Sequence, residues 1–297
     1  MRIWDVLALL AIVVLATAGL LSREQPRAGD GANPRRPDPS LFEPPPSPPD
    51  AAERLLPRLP PASSVDPVLR IETKRREKSG GGTAFSIDPS GVWVTARHVT
   101  DGCDRVLLRR GDRYTNVERI EQRADADISI LWTRGGIVSL PLARPDLRVG
   151  QDGFSFGYPR GQPGDVYGTV IGRRQVRHYG GRDTVEPAIA WAQIRRVPDI
   201  GPDLRGISGG PWVDRGGHVI GVHIAGAPRR GRSYSTAPDR LLAAVGRAGG
   251  RGRGATVSIA PDSRNFPNIG ERLRRQFTVS QVVCLFGERW RRKTHGL

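Results

Sequence analysis

Cysteine is scarce in this sequence, which has only Cys103 and Cys284 among its 297 residues. Two cysteines are too few for a disulfide-dense scaffold or a closed zinc site, so we expect neither a metal nor another cofactor. In an oxidising compartment the two could form a disulfide, and otherwise they would remain two buried free thiols.

Lysine is almost missing as well, since only three of the 46 basic residues are lysines (Lys74, Lys78 and Lys293). The basic residues outnumber the 30 acidic ones, and the net charge of +16 raises the question of nucleic acid or an anionic surface. The arginines are scattered without interleaved aromatic residues, which favours compositional bias over a specific nucleic-acid site. A basic surface that binds anionic polymers remains an alternative.

Polar side chains are nearly absent from residues 3–21, IWDVLALLAIVVLATAGLL, where Asp5 is the single charged residue. This stretch predicts a membrane anchor or a signal peptide over residues 1–22, with small residues at Ala16 and Ala18 for cleavage. Either assignment exports the rest of the chain. Twelve prolines between residues 26 and 61 then predict a disordered, extended linker over residues 23–65.

Helical periodicity is also missing from residues 66 to 237, where short apolar alternations are separated by Gly, Pro and Asp. This pattern predicts an all-β protein, and about 180 residues suit two small barrels better than one. A helix is predicted at 238–249. The predicted strands are 82–87, 92–96, 105–109, 115–120, 128–133, 154–158, 166–172, 188–194, 211–214 and 218–226.

Three short stretches carry residues that suit acyl transfer: His98 in VTARHVTDG, Asp127 in ADADISILW and Ser208 in GISGGP. Each residue alone is more often structural. Together they supply a nucleophile, a base with a pKa near neutrality and a carboxylate that orients the base. Gly206 would let the backbone turn so that its amide and that of Ser208 form an oxyanion hole.

The sequence resembles the chymotrypsin-like (trypsin-like) serine protease family, and within it the bacterial HtrA/DegP-type branch. The resemblance rests on GGGTAFSIDPSGVWVTARHV (80–99), DISIL (127–131) and GISGGPWVDRGGHVIGVHIAG (206–226), and it covers residues 66–246. It implies two antiparallel six-stranded β-barrels, about 66–145 and 146–246, with the active site between them. The implied activity is an exported serine endopeptidase that acts on proteins or peptides.

The resemblance also implies roles for individual residues. His98 would be the general base and acid, Asp127 its orienter and Ser208 the nucleophile, with Asp125 as the fallback orienter. Ser208 and Gly206 would supply the oxyanion-hole amides. The substrate pocket would have its base near Pro202 and Asp203 and a wall at Ile224, Ala225 and Gly226. Because Pro202 stands where an Arg/Lys-cleaving enzyme has Asp, we expect a small or medium apolar residue before the scissile bond.

The chain departs from the family pattern in two places. Ile207 stands where the family more often has Asp or Asn, and it cannot pair with a freshly cut amino terminus, so no zymogen-style activation is expected. Residues 247–297 are predicted to be a basic tail, too short for the PDZ domain of HtrA-type proteins, although TVSQVVCLF within it is apolar enough to dock on the protease.

Two further readings of the same residues remain open. Gly206, Ser208 and Gly210 also fit the nucleophile elbow of α/β-hydrolases, but that motif needs a helix after the serine and a histidine last in the chain. Here Pro211 and a β-like segment follow, and His98 comes first. The second alternative is a catalytically inactive, protease-like binding module.

Overall fold

The strands predicted from the sequence are all present in the fold, which we describe from a computed structural model. The model describes residues 51–73, 78–143, 146–181, 183–199, 201, 203–227, 230–248 and 256–287, and these belong to one unit, Pro45–Leu297. Its strands are β1 (Val68–Glu72), β2 (Gly80–Asp88), β3 (Val92–Thr95), β4 (Arg105–Arg110), β5 (Arg113–Gln122), β6 (Ser129–Thr133), β7 (Asp152–Gly157), β8 (Gly164–Tyr179), β9 (Thr184–Val197), β10 (Pro211–Val213), β11 (Val219–Ala227), β12 (Arg232–Thr236) and β13 (Val279–Leu285).

Helices are few and short in the described residues. They are α1 (Ala51–Arg54), α2 (Arg97–Thr100), α3 (Pro238–Arg247) and α4 (Phe266–Arg275), with a 3-10 turn at Pro159–Gly161. The helix predicted at 238–249 corresponds to α3. None of the helices in the described residues is long and apolar enough to cross a membrane. The segment predicted to be an anchor or signal peptide, residues 1–22, lies outside the described residues.

The first barrel is a closed ring of six strands in the order β13-β2-β3-β6-β5-β4. Strands β2, β3 and β6 are buried over most of their length, and the aromatic and β-branched residues Phe85, Trp93 and Ile130 are completely buried. Strand β13 lies antiparallel between β2 and β4, so that Val282 stands opposite both Gly82 and Leu108. It closes the barrel.

The prediction of a tail over residues 247–297 is therefore wrong for β13 and α4. Val279 and Val282 are fully buried within the first barrel, and Phe266 and Leu273 of α4 are fully buried as well. The segment TVSQVVCLF does more than dock on the domain, because an open five-stranded sheet would expose the unpaired edges of β2 and β4.

The second sheet joins six antiparallel strands and one parallel strand. The pairing runs β8-β7-β10-β11-β12-β9, and the β8–β9 contact returns it to β8, so these six strands form a closed ring. Strand β1 adds to β8 in parallel, with Ile71 opposite His178. The predicted architecture of two six-stranded barrels is confirmed, with β1 as an extra strand.

The prediction of a disordered linker up to residue 65 is wrong for residues after 52. Leu59 is buried beside Leu147, and the Leu59 amide donates to the Leu147 carbonyl at 2.7 Å. Glu53 accepts a hydrogen bond from the Asp152 amide at 3.0 Å. Leucines among the prolines give this segment an apolar surface to bury, which the proline count alone does not indicate. Residues 23–50 lie outside the described residues.

A disulfide joins Cys103 to Cys284 across a sequence separation of 181 residues. Cys103 follows α2, the helix that carries His98, and Cys284 lies in β13. The bond therefore attaches the barrel-closing strand to the turn after the histidine.

Candidate active site

His98 and Asp127 lie at the same end of the first barrel because β3 and β6 are antiparallel, with Thr95 opposite Ser129. His98 follows β3 and Asp127 precedes β6. The His98 Nδ1–H donates to Asp127 Oδ2 at 2.6 Å, and the backbone N–H of His98 donates to Asp127 Oδ1 at 2.9 Å. The Asp127 side chain is 1% exposed and that of His98 is 23% exposed. The imidazole is thus held through Nδ1 by a buried carboxylate.

Ser208 lies in the loop between β9 and β10, and β2 of the first barrel fixes this loop. The Thr83 amide donates to the Ser208 carbonyl at 2.8 Å, and the Thr83 hydroxyl donates to the Gly206 carbonyl at 2.8 Å. Gly206 has φ of +101°, and a Cβ there would lie 2.6 Å from the Tyr158 carbonyl oxygen. Gly209 has φ of +88°, and its Cβ would lie 2.1 Å from the Thr83 carbonyl oxygen. Both positions therefore require glycine.

Two backbone N–H groups of this turn, those of Gly206 and Ser208, differ from their neighbours in their hydrogen bonding. Within the described residues, no protein acceptor pairs with the amides of Gly206 and Ser208. The neighbouring amides are occupied: Ile207 donates to Leu204, Gly209 to His223 and Gly210 to Ile207. The amides of Gly206 and Ser208 are separated by Ile207 and lie beside the Ser208 hydroxyl, so they are the candidate donors of an oxyanion hole.

His98, Asp127 and Ser208 line one cleft of about 370 Å³. The predicted wall residues Ile224, Ala225 and Gly226 line the same cleft, as does Asp203. The Asp203 carboxylate is engaged by the Arg205 guanidinium at 2.7 Å, and this hydrogen bond lowers the pKa of Asp203. Pro202, the predicted base of the pocket, lies outside the described residues.

Asp125, the predicted fallback orienter, pairs elsewhere. Its carboxylate accepts from Arg247 at 3.0 Å and lies 3.5 Å from Arg123. Burial alone would raise the pKa of Asp125, but its own backbone hydrogen bond and these arginines lower it. Asp127 is the carboxylate that contacts His98.

His223 lines the cleft together with His98 and His178, and it is buried. Trp212 Nε1–H donates to His223 Nδ1 at 3.3 Å, and the two rings stack. Burial, followed by the charge of His98, lowers the pKa of His223 to about 3. The ring is therefore neutral at physiological pH. His218 is half-buried beside Asp214, and the hydrogen bond with the Asp214 carboxylate raises the pKa of His218.

Ile207, the departure from the family pattern, is buried in an apolar cluster. Its side chain is 1% exposed and packs with Leu204, Trp191 and Trp212. Apolar packing of Ile207 therefore holds the Ser208 loop in place, at the position where the family more often has Asp or Asn.

Three residues that the sequence analysis did not single out support this site. Thr83 fixes the Ser208 loop, and Glu186 accepts the backbone N–H of Asp127 at 2.9 Å. His178 lies 2.7 Å from Glu186 through Nε2, and burial raises the pKa of Glu186. Thr83 stood in a recognised motif, GTAF, but Glu186 and His178 lie on β9 and β8, where no local pattern marks them.

Comparison with known proteins shows what the chain is similar to. Residues 82–222 match the model of the trypsin-like peptidase domain. A probable periplasmic serine endoprotease, DegP-like, from Pseudomonas savastanoi is 29% identical over 59% of this chain and 35% of its own length. Serine protease Rv3671c from Mycobacterium tuberculosis is 30% identical over 54% of this chain and 39% of its own.

The active form of the Rv3671c protease has also been solved as a crystal structure. It aligns with a TM-score of 0.46 and 18% identity over 68% of this chain and 96% of that structure. The chain spans little more than a third of the length of the two curated relatives. A closed six-stranded barrel, a His98–Asp127 pair that lines one cleft with Ser208 and a matched domain model define a chymotrypsin-like serine protease fold. Residues 82–222 are a trypsin-like peptidase domain, and the relatives of the chain include proteases of the DegP/HtrA type.

Proposed function

We propose that the protein is an exported serine endopeptidase that hydrolyses peptide bonds through an acyl-enzyme intermediate. The catalytic residues are His98, Asp127 and Ser208. The hydrogen-bonded His98–Asp127 pair carries this proposal, because a 2.6 Å contact holds the imidazole in a cleft that Ser208 also lines. A histidine that served only the fold would not need a buried carboxylate behind it and a serine in front.

The reaction follows from the proton positions. With Nδ1–H donated to Asp127, His98 Nε2 accepts the proton of Ser208 Oγ as that oxygen bonds to the scissile carbonyl carbon. Asp127 remains ionised and stabilises the imidazolium. The negative oxygen of the tetrahedral intermediate accepts hydrogen bonds from the amides of Gly206 and Ser208, and each such donor contributes about 3 kcal/mol to the transition state.

The second half of the reaction reverses these steps. The imidazolium of His98 gives its proton to the leaving amine, and the C–N bond breaks to leave the acyl group on Ser208 Oγ. Water then enters, His98 takes one of its protons, and the resulting hydroxide equivalent releases the carboxylic acid and restores the Ser208 hydroxyl.

For specificity, we propose that a small or medium apolar side chain precedes the scissile bond. Ile224, Ala225 and Gly226 line the cleft beside Ser208, and the Asp203 carboxylate is already neutralised by Arg205. The Asp203 carboxylate therefore does not favour a basic side chain there. A peptide digest scored by cleavage position tests this, and a run of cuts after arginine contradicts it.

Export is supported by the disulfide and by a relative. Structural disulfides persist in oxidising compartments, and Cys103 and Cys284 are bonded. The DegP-like relative from Pseudomonas savastanoi is named as periplasmic. We propose that residues 1–22 export the chain and attach it to the membrane or are cleaved, with the protease domain in the periplasm or outside the cytoplasmic membrane. Fractionation of cells expressing the full chain tests this, and a cytoplasmic pool with free thiols contradicts it.

Turnover of casein or of a peptide library by the full chain, beside Ser208→Ala, tests the activity. We expect hydrolysis by the parent chain and none above background by the variant. Binding of peptides without hydrolysis by a folded parent chain contradicts the proposal and favours a protease-like binding module.

A further inference from the structure

A chain of hydrogen bonds links Asp127 to Glu186, His178 and Thr73, and His178 and Thr73 line the same cleft as Asp127. The backbone N–H of Asp127 donates to Glu186 Oε1 at 2.9 Å, and the same oxygen lies 2.7 Å from His178 Nε2. His178 Nδ1 in turn lies 3.0 Å from the Thr73 hydroxyl oxygen. The side chains of Glu186 and His178 are each 1% exposed.

The long β8–β9 hairpin brings these groups to the first barrel. Near its tip His178 of β8 pairs with Thr184 of β9, and β1 flanks β8 on the other side, so that Thr73 follows the strand beside His178. The second sheet therefore reaches across to the residue that orients His98. Asp127 itself comes before β6 begins, and Glu186 accepts the hydrogen bond from its amide.

His178 stands between two hydrogen-bond partners, Glu186 at Nε2 and the Thr73 hydroxyl at Nδ1. The Thr73 hydroxyl also donates to the Ile71 carbonyl at 3.4 Å. A lone ionised Glu186 would repel the carboxylate of Asp127, and His178 prevents this.

Such a pair is costly in a protein interior, where two apolar side chains of similar volume are often at least as stable. Its hydrogen bond to Asp127 shows what it accomplishes: Asp127 is held at its backbone by Glu186 and at its carboxylate by two donors of His98. Resting on the serine protease function proposed above, we propose that Glu186, held by His178, is a positioning residue that sets Asp127 and thereby the imidazole of His98.

The test combines proton NMR of the His98 Nδ1–H with steady-state kinetics on the full chain. A proton in a 2.6 Å nitrogen–carboxylate contact resonates far downfield, and its signal depends on the position of Asp127. Glu186→Leu removes the acceptor at similar volume, and Glu186→Gln keeps Oε1. Asp152→Asn is the matched control, because Asp152 is a buried carboxylate of β7 that binds Arg215 and Tyr167 and does not line the cleft.

We expect Glu186→Leu to lose or broaden the downfield resonance and to lower kcat by between about tenfold and a hundredfold, since misplacement of a catalytic group by about 1 Å has that effect. KM should stay within about twofold, because the peptide contacts are intact. Glu186→Gln should keep the resonance and most of kcat. Asp152→Asn should lower the melting temperature while the resonance and kcat are unchanged.

The result that overturns the inference is an unchanged resonance and kcat in folded Glu186→Leu when the parent chain is active. If the parent chain hydrolyses nothing, the proposed function fails, while the resonance still reports whether Glu186 positions Asp127. If Glu186→Leu does not fold, Glu186→Asp replaces it: the carboxylate remains but is withdrawn by one methylene. The same loss of signal is then expected, and its retention overturns the inference.

Discussion

Replacing Thr83 by valine should remove two of the hydrogen bonds that join the first barrel to the second near Ser208. The Thr83 hydroxyl donates to the Gly206 carbonyl at 2.8 Å and accepts from the Tyr158 amide at 3.0 Å. Valine fills the same volume but makes neither bond. The backbone contact from the Thr83 amide to the Ser208 carbonyl is unaffected by the substitution.

The magnitude follows from the two groups left without a partner. An unsatisfied buried polar group costs about 1–3 kcal/mol, and the lower end applies because Gly206 and Tyr158 are only half-buried. The free energy of unfolding should therefore fall by about 2 kcal/mol. The loop that carries the Gly206 and Ser208 amides also loses one of its anchors, so kcat/KM should fall by between about tenfold and a hundredfold, which is less than removal of a whole oxyanion donor.

The assay measures urea unfolding and peptide hydrolysis for Thr83→Val beside Thr133→Val. Thr133 is buried in the same barrel, where it accepts from Trp93 Nε1–H at 3.1 Å and donates to the Gly135 carbonyl. It lies near the start of β3, at the far end of that strand from His98. The control should lose a similar stability and retain kcat/KM. Equal kcat/KM for both variants would refute the role of Thr83 in fixing the loop.

Three further predictions follow from the site and the disulfide. Asp127→Asn should lower kcat by about 10⁴-fold at neutral pH with little change in KM, because the amide selects the wrong tautomer of His98. Cys284→Ser should lower the free energy of unfolding by about 2–5 kcal/mol, since the bond to Cys103 constrains a loop of 181 residues in the unfolded chain. Acid should destabilise the fold through His223, whose pKa is about 3 in the folded protein against an ordinary 6.5. The unfolded chain binds the proton first, so the contribution of His223 falls by about 1.4 kcal/mol per pH unit below 6.5.

Steady-state kinetics at pH 7 test Asp127→Asn, and denaturant unfolding tests Cys284→Ser. Unfolding measured at several pH values tests the effect of acid through His223. Asp127→Asn with parental kcat contradicts the assigned orienter, and Cys284→Ser with unchanged stability contradicts the structural role of the disulfide. For the acid effect, His223→Gln is the comparison. If its stability falls between pH 6 and 4 as steeply as that of the parent chain, then other groups cause the loss.

The sequence allowed much of the site to be predicted because its parts lie in short, contiguous motifs. A strand followed by His98, an aspartate at the start of an apolar strand and a glycine-flanked serine each have local signals, and the expected hydrogen bond between His98 and Asp127 is present. The ten predicted strands are also present, although β8 and β9 extend several residues beyond the predicted ends.

What could not be predicted depends on pairing between distant segments. β13 reads as an isolated apolar stretch, and only the open edges of β2 and β4 determine that it closes the first barrel. Glu186 lies two residues before the predicted strand 188–194, where a carboxylate predicts a solvent-facing position. It is buried because the hairpin tip packs against the Asp127 amide, and no pattern within β9 encodes that contact.

Covalent labelling of Ser208 by a fluorophosphonate probe tests the central claim most directly, because the probe reacts only with a serine whose proton a neighbouring base removes. We expect the intact mass of the folded full chain to increase by one probe adduct, with Ser208 as the modified residue in a proteolytic map. Ser208→Ala should stay unmodified and His98→Ala should react far more slowly. An unlabelled parent chain that is folded and disulfide-bonded would contradict the account.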